Sequence, residues 1–454
     1  MRQHIFILLL LLGTTACSKH EDVPASVFSA ENTWILDSMR MYYYWENEIP
    51  GTPQSQQDAT RFFTGLLSAK DRFSYITDPT NTNVTYSAFA WYGFEYAIIQ
   101  LNNATTGVVT LVVPGSPAAK KGLQRGQYFT AVNNTVITAQ NAAQVKDIFA
   151  RGGGATLQMA QEQSGTLTNT TTLTVTHSNF NQQPVYAARV YSNGNNKAGY
   201  LFYNAFDGQY DKLLTDSIKK LQNAGINSLI IDVRYNPGGD VATAAKLCAM
   251  LTNAGKDAPF ITYKANKNGG TSTSTVEETI RETSYMPSSF AALSSYHLSL
   301  NKIVILTTRN TASAAEALIN CLKPYITTIQ IGDTTLGKDM GSFAIWDQRT
   351  PKTIPYTLYP LIFKLYNAQG KGDYNAGIAP DYYVNEFASF PLLPFGDMND
   401  PALQKALSLT TGLPATALNR MSRTARPAAN VLYQSAMSTH SNSAVTSHTH
   451  WRKR

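Results

Sequence analysis

From about Pro184 onward the sequence alternates two hydrophobic periods, and this alternation restricts the fold more than any other feature. "KAGYLFYNAF", "NSLIIDVR", "KIVILTT" and "TTIQIGD" are short apolar runs of strand length. Between them lie "YDKLLTDSIKKLQNAG", "GDVATAAKLCAMLTNAG" and "SAAEALINCLKPY", whose apolar residues recur at helical spacing. Buried strands joined by helices argue for an α/β layer with a mainly parallel sheet. In such a sheet the loops beyond the strand carboxyl ends share one edge, so chemistry is expected there.

Three of those loops carry candidate residues. In "RNTASAAEAL", Ser313 stands between an apolar run and a helix, where a serine is either a helix cap or a nucleophile beside free backbone N–H groups. In "IGDTTLGKDMGS", Lys338 follows Gly337. A lysine amine is almost fully protonated at neutral pH, but burial without a facing carboxylate disfavours the ammonium and lets the neutral amine act as a base. Asp339 is adjacent, yet neighbouring side chains on an extended segment point to opposite faces. In "IDVRYNPGGD", Pro237 stiffens a turn and Gly238-Gly239 opens a helix with unencumbered N–H groups. One of these glycine amides, together with the N–H of Ala314, makes a two-donor oxyanion site, worth about 3 to 4 kcal/mol per donor in acyl transfer. Each motif also has a plain reading: a cap, a surface lysine in a glycine turn, and a βα turn. His177 and His297 lie in no catalytic motif and read as locally satisfied residues.

Upstream, residues 28–80 carry helical periodicity and aromatic weight, with a break at Pro50-Gly51, and predict a small helical unit. Glu46 and Glu48 read there as a solvated face. Residues 86–178 are short strands with glycine turns and one helical stretch, "NAAQVKDIF". The order of strand, "PGSPAAKKGLQRGQ" connection, strand, Asn-Asn turn and helix resembles a PDZ domain. That resemblance implies that Tyr92, Gly93 and Phe94 offer backbone N–H groups to a peptide carboxylate, with the peptide adding as an edge strand. The run Gly152-Gly153-Gly154 lacks the Lys and Ser/Thr of a phosphate loop and reads as a turn. Residues 185–412 form the α/β core. Residues 416–454 are Ser/Thr/Ala-rich and basic and are expected to be a disordered tail, with a helix at "AANVLYQSAM" as the alternative.

The series "IDVRYNPGGD", "TASAAEAL", "GDTTLGKDMGS" and "GIAPDYYV" resembles the tail-specific, or C-terminal processing, serine peptidases. This resemblance implies Ser313 as nucleophile, Lys338 as general base at the family's spacing of 25 residues, and Gly238 or Gly239 with Ala314 as oxyanion donors. It covers nearly everything from Asn32 to Gly412. Two departures stand out. The serines that flank the nucleophile in the family motif are Thr311 and Ala315 here. The glutamine that often orients the lysine is replaced by Ser342, whose hydroxyl can accept a hydrogen bond from the amine. The family implies no metal or organic cofactor and a polypeptide substrate. Two functions remain open at this point: a Ser-Lys endopeptidase, or a non-catalytic peptide-binding lipoprotein that retains the protease fold.

Charge and cysteines restrict the rest. The formal net charge is +7, but Asn419 to Arg454 holds Arg420, Arg423, Arg426, Arg452, Lys453 and Arg454 with no acid, so no basic face for nucleic acid is indicated. "MRQHIFILLLLLGTTAC" has a basic start, an apolar run too short to span a bilayer, and small residues before Cys17. It resembles a bacterial lipobox, so residues 1–17 are expected to be an export signal, with Cys17 the lipidated anchor on a membrane facing the periplasm or cell surface. Cys248 and Cys321 fall in apolar helical patterns and read as buried free thiols. No Cys/His cluster has metal-ligand spacing. A glycan-handling role lacks its carboxylate pair, because Glu277-Glu278 reads as part of a polar loop.

Overall fold

The computed structural model describes residues 28–54, 57–79, 87–101, 104–282, 288–413 and 429–435. Cys17 and its leader lie outside those residues, as does the basic tail apart from 429–435.

The expected sheet has six strands, in the order Tyr382–Tyr383, Thr328–Gly332, Lys302–Thr307, Ser228–Asp232, Asn196–Tyr203 and Val185–Asn193. Neighbouring strands are parallel except at the last pair, where Val185–Asn193 runs antiparallel to Asn196–Tyr203. Helices Asp211–Asn223, Val241–Leu251 and Ala314–Leu322 make the crossovers. Because the central strands are buried on both faces, alternate residues serve two layers. Leu229, Ile231, Ile303 and Ile305 pack against these helices, whereas Ile230, Val304 and Leu306 meet Leu403, Ala406 and Leu407 of the helix Pro401–Thr411. Each such side chain contributes about 1.5–3 kcal/mol of burial. The registers Asp232↔Leu306 and Thr307↔Gly332 bring three strand ends level, so the loops carrying the candidate residues start from one rigid edge.

The N-terminal unit consists of helices Ala30–Tyr42 and Ala59–Gly65, capped by the Ser29 and Asp58 side chains. It does not stand apart from the core: Ile35, Met39, Phe62 and Phe63 join the same apolar cluster as the crossover helices. The strand Tyr75–Thr77 pairs antiparallel with Thr357–Tyr359 and brings residues 71–74 to the functional edge.

The PDZ-like module has an antiparallel sheet, its own core of Tyr96, Val109, Phe129 and Phe149, and a helix Val145–Ala150 where "NAAQVKDIF" predicts one. Arg125 ties the module to the α/β core. Its guanidinium lies 2.6 Å from Glu386 and donates to the Leu393 carbonyl at 2.8 Å and to the Tyr235 hydroxyl at 3.2 Å.

Two expectations are corrected here. Gly93 does not offer its N–H to a ligand. It terminates a short helix, Ala88–Tyr92, at φ 78°, and its N–H donates back to the Ala88 and Phe89 carbonyls, while Tyr92 and Phe94 are buried in the module's core. The tail, expected to be disordered or helical, contains a strand, Asn430–Gln434, which pairs antiparallel with Phe94–Leu101. So short a strand has little stability of its own; the ladder and apolar contacts it makes on the module supply it.

Candidate active site

Ser313 is the N-cap of the helix Ala314–Leu322 and has φ 56° and ψ −118°. A residue with a Cβ seldom adopts this backbone, which costs about 1–3 kcal/mol and persists only where its surroundings enforce it. A cap serine normally uses its hydroxyl on the helix N–H groups. Here Ser313 Oγ is buried and has no hydrogen-bond partner among the described residues. Capping runs in the opposite direction instead: the Glu316 carboxylate accepts the Ser313 N–H at 2.8 Å.

Glu316 also fixes the lysine loop. The oxygen that takes the Ser313 N–H accepts the Lys338 N–H at 2.8 Å, and its other oxygen takes the Gly337 N–H at 2.7 Å and the Thr335 hydroxyl. Burial raises this carboxyl above the usual range, and its four donors pull it back. One fully buried carboxylate therefore joins the two loops, bringing Ser313 and Lys338 together at their backbones.

The Lys338 side chain is only 1% exposed, its Nζ has no hydrogen-bond partner among the described residues, and the amine sits 5.5 Å from the Phe73 ring centroid. Burial lowers its pKa from 10.5 to about 8, against the opposing pull of the Glu316 and Asp71 carboxylates. Asp339 turns the other way, toward Lys364, whose Nζ is 3.5 Å from Asp339 Oδ2. The N-terminal unit holds the loop from outside, Arg72 donating to the Gly337 and Asn375 carbonyls at 2.8 and 2.9 Å.

The glycine turn lies against the serine. A Cβ on Gly238 would stand 2.6 Å from Ser313 Cβ and 2.8 Å from the Ala314 nitrogen, and one on Gly239 would stand 2.1 Å from the Phe206 carbonyl oxygen. At φ 103° and 133°, both positions also require glycine conformationally. Their amides differ. The Gly238 N–H donates to Asn236 Oδ1 at 2.8 Å, whereas among the described residues neither the Gly239 nor the Ala314 N–H has an acceptor. The turn is anchored from below by Arg234, which is 2% exposed and paired with Asp232, Asp400 and Glu386.

Ser342 does not meet the expectation that it would accept from the amine. It lies beyond the strand Met340–Gly341, whose pairing with Phe363–Asn367 fixes its course, and the amine is left unpartnered. His297 Nε2 lies 3.2 Å from the Thr252 carbonyl, and His177 packs on Trp91 with ring centroids 4.6 Å apart, both away from Ser313. Cys248 and Cys321 are buried free thiols. Among the described residues no cluster of three or more potential metal ligands occurs, and no helix is long and apolar enough to cross a membrane.

Sequence reasoning missed Glu316, Asn236, Arg72 and Phe73. Glu316 had a readable signal, the Ser-x-x-Glu spacing of a capping box; the others had none locally.

The family model for Peptidase family S41 matches residues 197–384, that for the Peptidase S41 N-terminal domain matches 30–75, and a PDZ domain model matches 108–157. A solved structure assigned to the S41 proteases, from Bacteroides fragilis, is 27% identical, covers 84% of this chain and 97% of its own, and superimposes with a TM-score of 0.68. The carboxy-terminal processing protease CtpA of Bacillus subtilis is 24% identical over 293 residues, 64% of this chain and 56% of that protein. The chloroplastic C-terminal processing peptidase of Tetradesmus obliquus is 25% identical over 242 residues, 51% of this chain and 48% of that protein. The chain thus spans about half the length of these curated relatives. By its three matched segments and its fold, it belongs to peptidase family S41.

Proposed function

We propose that the chain is a serine endopeptidase acting through a Ser313–Lys338 dyad. Neutral Lys338 takes the hydroxyl proton as Ser313 Oγ bonds to the substrate carbonyl carbon. The carbonyl oxygen becomes an oxyanion and is met by the N–H groups of Gly239 and Ala314. When the tetrahedral intermediate collapses, the carbon–nitrogen bond breaks and the Lys338 ammonium returns its proton to the leaving amine. Water then attacks the acyl-enzyme, giving one proton to Lys338, and the carboxyl product leaves as Ser313 recovers its hydrogen. Within this reading Gly238 shapes the turn and is not a donor, since its N–H serves Asn236.

The observation that carries the proposal is a buried lysine amine and a buried serine hydroxyl, neither with a hydrogen-bond partner among the described residues, on two loops whose Ser313 and Lys338 backbone N–H groups share one Glu316 oxygen, with burial lowering the amine's pKa to about 8. Burial of both groups without partners has a stability cost that a purely structural pair would not need. The sequence supports export and attachment through lipidated Cys17, which makes extracytoplasmic polypeptides the substrate class. An active-site-directed serine reagent tests the chemistry: adduct mass on Ser313, lost in Lys338→Ala, is expected. An unlabelled Ser313 across pH 6–10 in folded protein would favour a peptide-binding protein that retains the fold.

A further inference from the structure

The PDZ-like module has an occupant. Asn430–Gln434 lies antiparallel on Phe94–Leu101 with partners Ala97↔Gln434, Ile98↔Tyr433, Ile99↔Val431 and Gln100↔Asn430. The ladder continues one residue further, where the Ser435 N–H donates to the Tyr96 carbonyl at 2.9 Å and Ser435 Oγ accepts the Tyr96 N–H at 2.8 Å. This is the edge on which an added peptide strand would form its main-chain bonds, so the chain's own segment and an incoming peptide compete for the same backbone groups.

Side chains make the fit specific on both faces. Leu432 and Tyr433 pack against the module's core, which includes Val145 and Phe149 of its helix, and the Tyr433 ring lies 5.9 Å from Tyr96. Ala429 and Val431 cover a second apolar cluster with Ile99, Phe387 and Phe390. At the end of the ladder the Ser435 hydroxyl donates to Glu95. Glu95 is 1% exposed, and its other carboxylate oxygen has no hydrogen-bond partner among the described residues.

That acid governs what can bind. The Gly93 N–H is already used within its helix, so the end of the groove lacks an available donor there for a peptide terminus and instead presents a buried acceptor. Burial pushes the Glu95 carboxyl up to about 7, so above that pH a terminal carboxylate would face it with like charge. A hydroxyl from the middle of a chain satisfies it, and Ser435 is such a residue, with the sequence running on to Arg454.

We propose that residues 429–435 are an intramolecular ligand of the PDZ-like groove, which takes an internal strand with an apolar residue, an aromatic and a hydroxyl at alternate positions, as in Val431, Tyr433 and Ser435. The groove is closed in cis, and a polypeptide of this pattern must displace the segment to enter. The fifteen residues 414–428 connect the segment to the core. Covalent linkage through fifteen residues supplies an effective concentration on the order of 1 mM.

Binding alone tests the proposal, so its outcome is independent of the peptidase reading. The full chain carrying Ser313→Ala is titrated with a fluorescent, amidated peptide of residues 427–437, and anisotropy is recorded. Release of the segment by Val431→Asp with Tyr433→Asp should tighten binding of the added peptide by about 10-fold or more, the ratio of tether concentration to a Kd of 100 μM or below. Ser435→Asp, which sets a carboxylate against Glu95, should do the same and covers the case in which the first variant misfolds. A peptide ending in a free carboxylate at Ser435 should bind the opened chain more weakly than the amidated one. Equal binding by intact and opened chains of unchanged melting temperature, or a preference for the free carboxylate, would overturn the assignment.

Discussion

The amine of Lys338 permits a quantitative prediction. Its drop from 10.5 to about 8 represents a penalty of about 3 kcal/mol on the ammonium, with burial the dominant cause. At pH 7 about one-tenth of the molecules then carry the neutral base, and kcat/KM should rise about tenfold per pH unit before levelling above pH 8. Phe73 forms one wall of the pocket, 5.5 Å from Nζ. Phe73→Ala admits water to the amine and should move the inflection back toward 10.5. Complete rehydration would leave about 3 neutral amines in 10,000 at pH 7, a loss of about 300-fold; one opened wall should give about 10- to 30-fold, recovered by pH 10. The assay is kcat/KM for an unstructured fluorogenic polypeptide from pH 6 to 10.5 in both proteins. A Phe73→Ala deficit of equal size at every pH would refute the reasoning, as would a wild-type inflection near 10. The sign of the stability linkage follows from the same numbers. The folded state holds its proton more weakly, so between pH 8 and 10.5 the unfolded chain binds more protons and stability rises with pH; below pH 8 the full penalty weighs on the fold.

Lys338→Met should therefore abolish turnover yet stabilise the protein at pH 7 by about 1–3 kcal/mol, read as a raised denaturant midpoint, because no hydrogen bond of the amine is lost. Glu316→Gln keeps the shape but points an amide at backbone N–H groups that now share one carboxylate; activity should fall at least 100-fold and stability by about 3 kcal/mol, measured by peptide hydrolysis and urea titration. Gly239→Ala, whose Cβ would sit 2.1 Å from the Phe206 carbonyl oxygen at φ 133°, should displace the turn and lower kcat with little change in KM. Arg125→Met leaves Glu386 short of one partner at the junction with the PDZ-like module and should cost about 3 kcal/mol, seen as earlier melting of that module in calorimetry.

Much of the site was legible because a parallel sheet forces distant loops onto one edge. Once "IDVRYNPGGD", the Ser313 turn and the Lys338 loop were assigned to consecutive strand ends, their convergence followed from topology. The same logic fails for groups that arrive from outside the sheet. Phe73 and Arg72 reach Lys338 from the N-terminal unit through the antiparallel pairing of Tyr75–Thr77 with Thr357–Tyr359, and no local pattern in "DRFSYI" announces a wall or a clamp. Ser342 was misread for a related reason: an offset of four residues from Lys338 gives no orientation once a two-residue strand pairing fixes the path between them. The PDZ resemblance implies that Gly93 offers its N–H to a peptide carboxylate, but a one-turn helix ahead of it claims that N–H.

The 429–435 strand illustrates a further limit. Its apolar residues Val431, Leu432 and Tyr433 sit within a Ser/Thr-rich, basic tail, and its order comes from the edge of Phe94–Leu101 and from apolar surface on two sides, contributed by residues more than 250 positions away or in the core segment 387–392. Local propensity has nothing to say about an edge waiting elsewhere in the chain. The buried Glu95 makes the same point in reverse: nothing in the strand sequence "FEYAIIQL" marks it for burial, yet it is 1% exposed and its hydroxyl partner comes from the far end of the chain. An acid placed so deeply in a short strand is expensive unless something is meant to meet it. At both Glu95 and Glu316, then, a buried carboxylate collects donors from segments that the sequence keeps apart, and those two positions are where substitution should most sharply separate the fold's assembly from its chemistry.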